Sequence, residues 1–230
     1  MCAAVAVAAL AAPAALLVVS TASQAADLQR MQQAAQRQGA NAVAGVRALQ
    51  AVLSAAADWD DERRLLAVNQ FYNRRIQFRT DWEVWGQADY WASPLELLEK
   101  GQGDCEDYVI AKYFSLLSIG MPSANLRLVY VRAQIGGPGG TPQAHMVLAY
   151  YPSNPSASAA PPGLPAEPLI LDNLIADIRP ASLRPDLSPV FSFNSEGLWK
   201  GVSGAPDGDP SVRVSRWREV LNKARDEGFL

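Results

Sequence analysis

The chain is poor in the side chains that most often do chemistry: its 230 residues contain one histidine and two cysteines. Cys2 lies in an apolar leader, so Cys105 is the single thiol of everything downstream. That scarcity excludes a disulfide framework for the body of the protein, and one Cys with one His fall short of a zinc ligand set. Charge of one sign is lacking too. Twenty basic against 23 acidic residues give a net charge of −3, so the bulk electrostatics point neither to nucleic acid nor to an anionic membrane surface. No internal repeat is visible.

What is present is apolar bulk: 49% of the residues are hydrophobic, enough for one domain with a sizeable core. Residues 1–26 carry no charge and close on Thr21-Ala22-Ser23-Gln24-Ala25-Ala26, small residues of the kind a signal peptidase accepts. They are expected to be a secretory signal cut after about Ala25 or Ala26, with a retained membrane anchor as the alternative. The mature domain is then 27–230, and a lone thiol exported into an oxidising compartment is a reactive group rather than packing.

Residues 27–57 read as a helix interrupted near Gly39 and Gly45. Asp60-Asp61-Glu62 cap a second helix that runs to Arg75. The aromatic stretch from Phe78 to Trp91 has no clear period. Ser93-Pro94-Leu95-Glu96 looks like an N-cap with Pro at the first helical position, opening a short helix that stops before Gly101. Asp104 is a good N-cap for an apolar helix ending at Gly120-Met121-Pro122. Strand-like runs follow at 126–133, 144–151 and 169–171, with a Gly/Pro/Ser-rich excursion at 152–168. A short strand near 191–193 and an amphipathic helix over 215–224 complete the pattern.

The chemistry concentrates in Gly101-Gln102-Gly103-Asp104-Cys105-Glu106-Asp107-Tyr108. Cys105 falls in the first turn of a buried helix, where unpaired N–H groups and the dipole favour a thiolate and can hold an oxyanion. Only one side-chain type titrates near neutrality, so His145, in Ala144-His145-Met146, is the candidate base. Asp172, closing Leu169-Ile170-Leu171-Asp172-Asn173, is the candidate orienter of the imidazole. Three acids in four residues, Asp104, Glu106 and Asp107, should push the thiol up. An oxygen-liganded cation resolves that conflict, and Ca²⁺ is the candidate.

These segments, together with Asp89-Tyr90-Trp91-Ala92-Ser93-Pro94-Leu95-Glu96, resemble the bacterial transglutaminase-like cysteine proteinases, in particular their periplasmic, adhesin-cleaving branch. The resemblance covers roughly residues 60–200 and implies an α+β, papain/transglutaminase-like fold, with the nucleophile at the N-terminus of a buried helix packed on an antiparallel sheet. It implies a Cys105, His145, Asp172 triad and a Ca²⁺ held or adjoined by Asp104, Glu106 and Asp107, with Asp81 and Asp89 as further ligand candidates. It also implies a periplasmic protease that cleaves a large surface adhesin near its N-terminus, at a di-alanine site, releasing cells from a biofilm. The inhibitor would be the periplasmic domain of an inner-membrane cyclic di-GMP receptor. The segment Trp82 to Trp91 is the expected docking surface and Trp85 its anchor, unless these tryptophans are core. Transglutaminase or amidase chemistry on the same triad, and a non-enzymatic calcium-binding adaptor, remain open alternatives.

Overall fold

The computed structural model describes residues 27–137, 139–152 and 167–230. The expected signal at 1–26 and most of the 152–168 excursion lie outside the described residues.

Helix α1 (Leu28–Gln38) is capped by Asp27, whose carboxylate accepts from the Arg30 N–H. Gly39 breaks the chain as expected, and α2 (Ala40–Ala56) follows. The second interruption, at Gly45, does not occur. Gly45 is a packing glycine where α2 crosses a later helix: a Cβ there would sit 3.0 Å from the Leu98 Cβ. Helix α3 (Asp61–Arg75) starts on the Asp60 cap. The aromatic stretch resolves into strand β1 (Gln77–Phe78) and a single turn, α4 (Asp81–Trp85), whose Glu83 carboxylate accepts from the Thr80 N–H and hydroxyl. Helix α5 (Pro94–Lys100) carries the expected box: Ser93 Oγ accepts from Glu96 N–H, and Glu96 accepts from Ser93 N–H. It closes on Gly101 in the left-handed region.

Strand β2 (Gln102–Gly103) pairs with β1 in parallel and aims the chain into α6 (Cys105–Ser118), which is buried from Asp107 to its end. A six-stranded antiparallel sheet follows: β3 (Leu126–Ile135), β4 (Thr141–Tyr150), β5 (Leu169–Leu171), β6 (Arg179–Pro180), β7 (Leu187–Phe193) and β8 (Leu198–Lys200), in the order β6-β5-β4-β3-β7-β8. The β3–β4 hairpin keeps one register from Leu126↔Tyr150 to Ile135↔Thr141. Period-2 alternation splits β4 between two cores. Met146, Leu148 and Tyr150 join the main core with α6, while Val147 and Ala149 join Val129, Val131 and Ile170 on the opposite face. Over 145–150 both faces are buried, which is why 146–150 reads as uniformly apolar, whereas 141–144 is exposed.

Helices α7 (Pro210–Arg213) and α8 (Ser215–Asp226) return the chain to the first helices. Trp217 stacks on Phe114 of α6 at 5.5 Å, and buried Glu227 accepts from the Ser93 hydroxyl and the Leu95 N–H. The Asp27 N–H donates to the Gly228 carbonyl, so both ends of the domain are tied to one another. Among the described residues no helix is long and apolar enough to cross a membrane.

Candidate active site

Cys105 occupies the first helical position of α6 with Asp104 as N-cap. Its approach depends on Gly103. The Asp107 side chain folds back there, and a Cβ on residue 103 would stand 2.6 Å from Asp107 Oδ2 and from Leu97 Cδ1. The Cys105 thiol donates to Glu106 Oε2 at 2.9 Å. The Met146 N–H of β4, one residue beyond His145, lies close enough to lower the thiol. Burial pushes the thiol well above its ordinary value, reinforced by the charge and hydrogen bond of Glu106 and by the charge of Asp104; the Met146 N–H pulls the other way.

His145 and Asp172 come together as a buried pair, with His145 Nε2 2.8 Å from Asp172 Oδ1. Continuing the Leu148↔Leu171 register past the end of β5 brings Asp172 back toward the His145 half of β4. With Nε2 committed to the carboxylate, Nδ1 is the nitrogen left to exchange a proton with a thiol. Burial works to raise the Asp172 carboxyl. It is outweighed by the hydrogen bond and charge of His145, the Leu174 N–H and Arg184, which together hold it down at about 2.

Three supports of Asp172 were invisible in the sequence. Arg184 Nη2 donates to Asp172 Oδ2 at 2.7 Å, and Asn73 Nδ2 of α3 donates to the Asp172 carbonyl at 2.7 Å. Lys112, two turns along α6 from Cys105, is fully buried, and its ammonium has no hydrogen-bond partner among the described residues. Burial brings Lys112 down to about 7 against the pull of Asp172. No sequence signal distinguishes these residues: each comes near Asp172 only through the tertiary fold.

The acids form two overlapping groups. Oxygens of Asp81, Asp104 and Asp107 lie within 4.8 Å of one another, as do oxygens of Asp81, Asp89 and Glu106. Asp81 belongs to both and is buried, so α4 supplies the residue that joins them. Asp107 already accepts from Ala92 N–H at 2.7 Å and from Asp104 N–H, whereas Asp81 Oδ1 and Asp104 Oδ1 are buried without a partner among the described residues. Burial, then the neighbouring carboxylates, raises Asp81 to about 6 and Asp104 to about 10, and Asp107 well above the usual range. Asp89 lies at the exposed edge, where Arg216 Nε meets it at 2.6 Å. Hard oxygen donors with two orphaned acceptors fit a Ca²⁺ ion.

The aromatic stretch is divided. Trp85 is a wall residue rather than an exposed anchor: its ring lies 4.3 Å from Tyr90 with the Lys100 ammonium 4.8 Å over it. Trp91 stacks on Phe193. Trp82, 70% exposed, projects furthest into solvent, with Phe78 also exposed.

The sequence profile of the bacterial transglutaminase-like cysteine proteinases matches residues 36–151. EGTA-treated Legionella pneumophila LapG is similar in structure, with 36% identity, a TM-score of 0.69, and coverage of 85% of this chain and 96% of that one. Calcium-bound Legionella pneumophila LapG gives 35% identity and a TM-score of 0.68 over 85% and 98% of the two chains. No curated protein sequence matches.

Proposed function

Because the chain belongs to the bacterial transglutaminase-like cysteine proteinase family, we propose that it is a calcium-dependent endopeptidase working through Cys105, His145 and Asp172. The observation that carries this reading is the buried His145–Asp172 pair, Nε2 to Oδ1 at 2.8 Å, on the strand against which the Cys105 helix packs. His145 takes the thiol proton on Nδ1, and the sulfur attacks the scissile carbonyl. Asp172 stabilises the imidazolium that results, and His145 then returns its proton to the departing amine. Water, activated by the same imidazole, hydrolyses the thioester. The N–H groups opening α6 are the donors nearest the developing oxyanion.

Asp81, Asp104, Asp107 and Glu106, with Asp89 at the edge, are the residues that would hold Ca²⁺. Bound there, the ion would neutralise the charges that hold the thiol up and compete with Cys105 for Glu106. Structures of LapG in calcium-bound and EGTA-treated form support a calcium-dependent reading of this chain. On the same reading the enzyme is periplasmic, and its substrate is a large surface adhesin, cleaved near its N-terminus at a di-alanine site to free cells from a biofilm. An N-terminal adhesin fragment from the same cells should be cut once by the wild-type protein in calcium and not at all in EGTA. Mass spectrometry of the products separates hydrolysis from transamidation, and an uncut fragment in calcium would remove the adhesin from the proposal.

Restraint is expected from the periplasmic domain of an inner-membrane cyclic di-GMP receptor. The anchor moves from Trp85 to Trp82, because an exposed indole on a single capped turn can be buried by a partner. Trp82→Ala should weaken receptor binding by ~2 kcal/mol or more with peptide cleavage and melting temperature unchanged. Trp85→Ala should instead lower the melting temperature, since its ring packs against Tyr90 and Lys100. Full-strength receptor binding by Trp82→Ala would clear this surface of the role.

A further inference from the structure

We propose that Arg184 is the positioning residue of the His145–Asp172 pair: clamped by Asp186, its guanidinium holds the Asp172 carboxylate in the orientation the imidazole needs. The inference rests on the triad reading above and assigns a fourth residue to it.

The two oxygens of Asp172 have different duties. Oδ1 takes His145 Nε2 and the Leu174 N–H, whereas Arg184 Nη2 is the partner recorded on Oδ2. Without the guanidinium, Oδ2 would be a buried anionic oxygen with nothing to accept from, and rotation about the Cβ–Cγ bond would break the His145 contact to satisfy it. Arg184 is itself fixed. It follows the short 3₁₀ turn 181–183, with its N–H on the Ala181 carbonyl. Its Nε and Nη2 make a forked pair to Asp186 Oδ1 and Oδ2 at 3.0 and 2.8 Å. The Asp186 carbonyl in turn accepts from Gln134 N–H of β3. The clamp therefore ties Asp172 to the sheet and leaves it no freedom of its own.

The surroundings argue that this is more than packing. The Arg184 side chain is 1% exposed and lies beside the apolar face formed by Val131, Val147, Ile170 and Leu187. A methionine would pack there without desolvating a charge. The fold keeps instead an arginine whose Nη1 is buried with no partner among the described residues, a cost set against the forked hold on Asp172 and Asp186. Lysine cannot reproduce it, because one ammonium lacks the planar fork that reaches both carboxylates.

The test uses the single histidine of the chain, which makes its imidazole N–H resonance unambiguous. Arg184→Met should lower kcat for adhesin-fragment cleavage at least tenfold with KM unchanged, and should shift or abolish the His145 Nε2–H signal. Arg184→Lys should recover part of both. In an Asp172→Asn background, Arg184→Met should cost less than a further twofold, because its effect passes through Asp172. If Arg184→Met does not fold, Asp186→Asn decides: loosening the clamp should lower kcat several-fold and move the same resonance. A folded Arg184→Met with wild-type kcat and an unmoved signal overturns the proposal, as does a full additional loss in the Asp172→Asn background. An Asp172→Asn enzyme that cleaves normally would instead overturn the triad itself.

Discussion

Replacing Cys105 by alanine should reduce cleavage by at least about 10³-fold while leaving the melting temperature near that of the wild type. On the proposed mechanism the sulfur forms the covalent bond to the substrate, and nothing else in the first turn of α6 can. Packing changes little, because the thiol is half-buried at the helix end and its hydrogen-bond partner is the Glu106 carboxylate. His145→Ala should fall as far, and combining it with Cys105→Ala should add almost nothing, since the two act as one unit. Asp172 needs a gentler change. Truncation to alanine would leave Arg184 with Asp186 alone and His145 Nε2 without its carboxylate, so Asp172→Ala would mix lost stability with lost chemistry. Asp172→Asn keeps the shape and isolates the chemistry. Circular dichroism and cleavage on the same samples check all three, and a folded Cys105→Ala variant with normal turnover would end the nucleophile assignment.

Chelation should be the second large effect: EGTA should abolish activity and lower the melting temperature, because an ion that binds only the folded protein stabilises it. The size of that effect should depend on pH in a direction the buried acids dictate. In the metal-free fold Asp81 and Asp104 titrate at about 6 and about 10, above the ~4 of an unfolded carboxyl. Over that interval the folded state binds more protons than the unfolded one, so metal-free stability falls as pH rises. The gap in melting temperature between calcium and EGTA should therefore widen from about pH 5.5 to about pH 8. Asp104→Asn keeps a competent N-cap but removes one crowded charge. It should melt in EGTA no lower than the wild type, respond little to calcium, and cleave poorly. A wild-type gap that is absent or that shrinks with rising pH would be fatal to this assignment of the acids.

Much of the local structure was legible because its determinants are local. Asp60, Ser93 and Asp104 cap helices at the expected places, and Gly39 and Gly101 end them. Alternation and apolar runs located β3, β4 and β5 to within a few residues. The failures were residues whose meaning depends on a distant neighbour. Gly45 looks like a helix breaker until Leu98 is seen against it, and Trp85 looks like an anchor until Tyr90 and Lys100 close over it. The two-residue strands β1 and β6 carry too little pattern to be read.

By itself the sequence determined the candidate reacting parts: one thiol at a helix start, one imidazole on a strand, one carboxylate after the next strand, and acids crowding the thiol. The scarcity of Cys and His forced that selection, because composition alone eliminates competitors. Tertiary structure decided how the parts are joined. It committed Nε2 rather than Nδ1 to Asp172, and it added Arg184 from beyond β6. It also brought Asp81 from α4 to the acids opening α6. Capping and periodicity are settled within a turn or two of chain. Partners tens of residues apart are chosen by sheet register and by the burial of both faces of β4, which no local window contains.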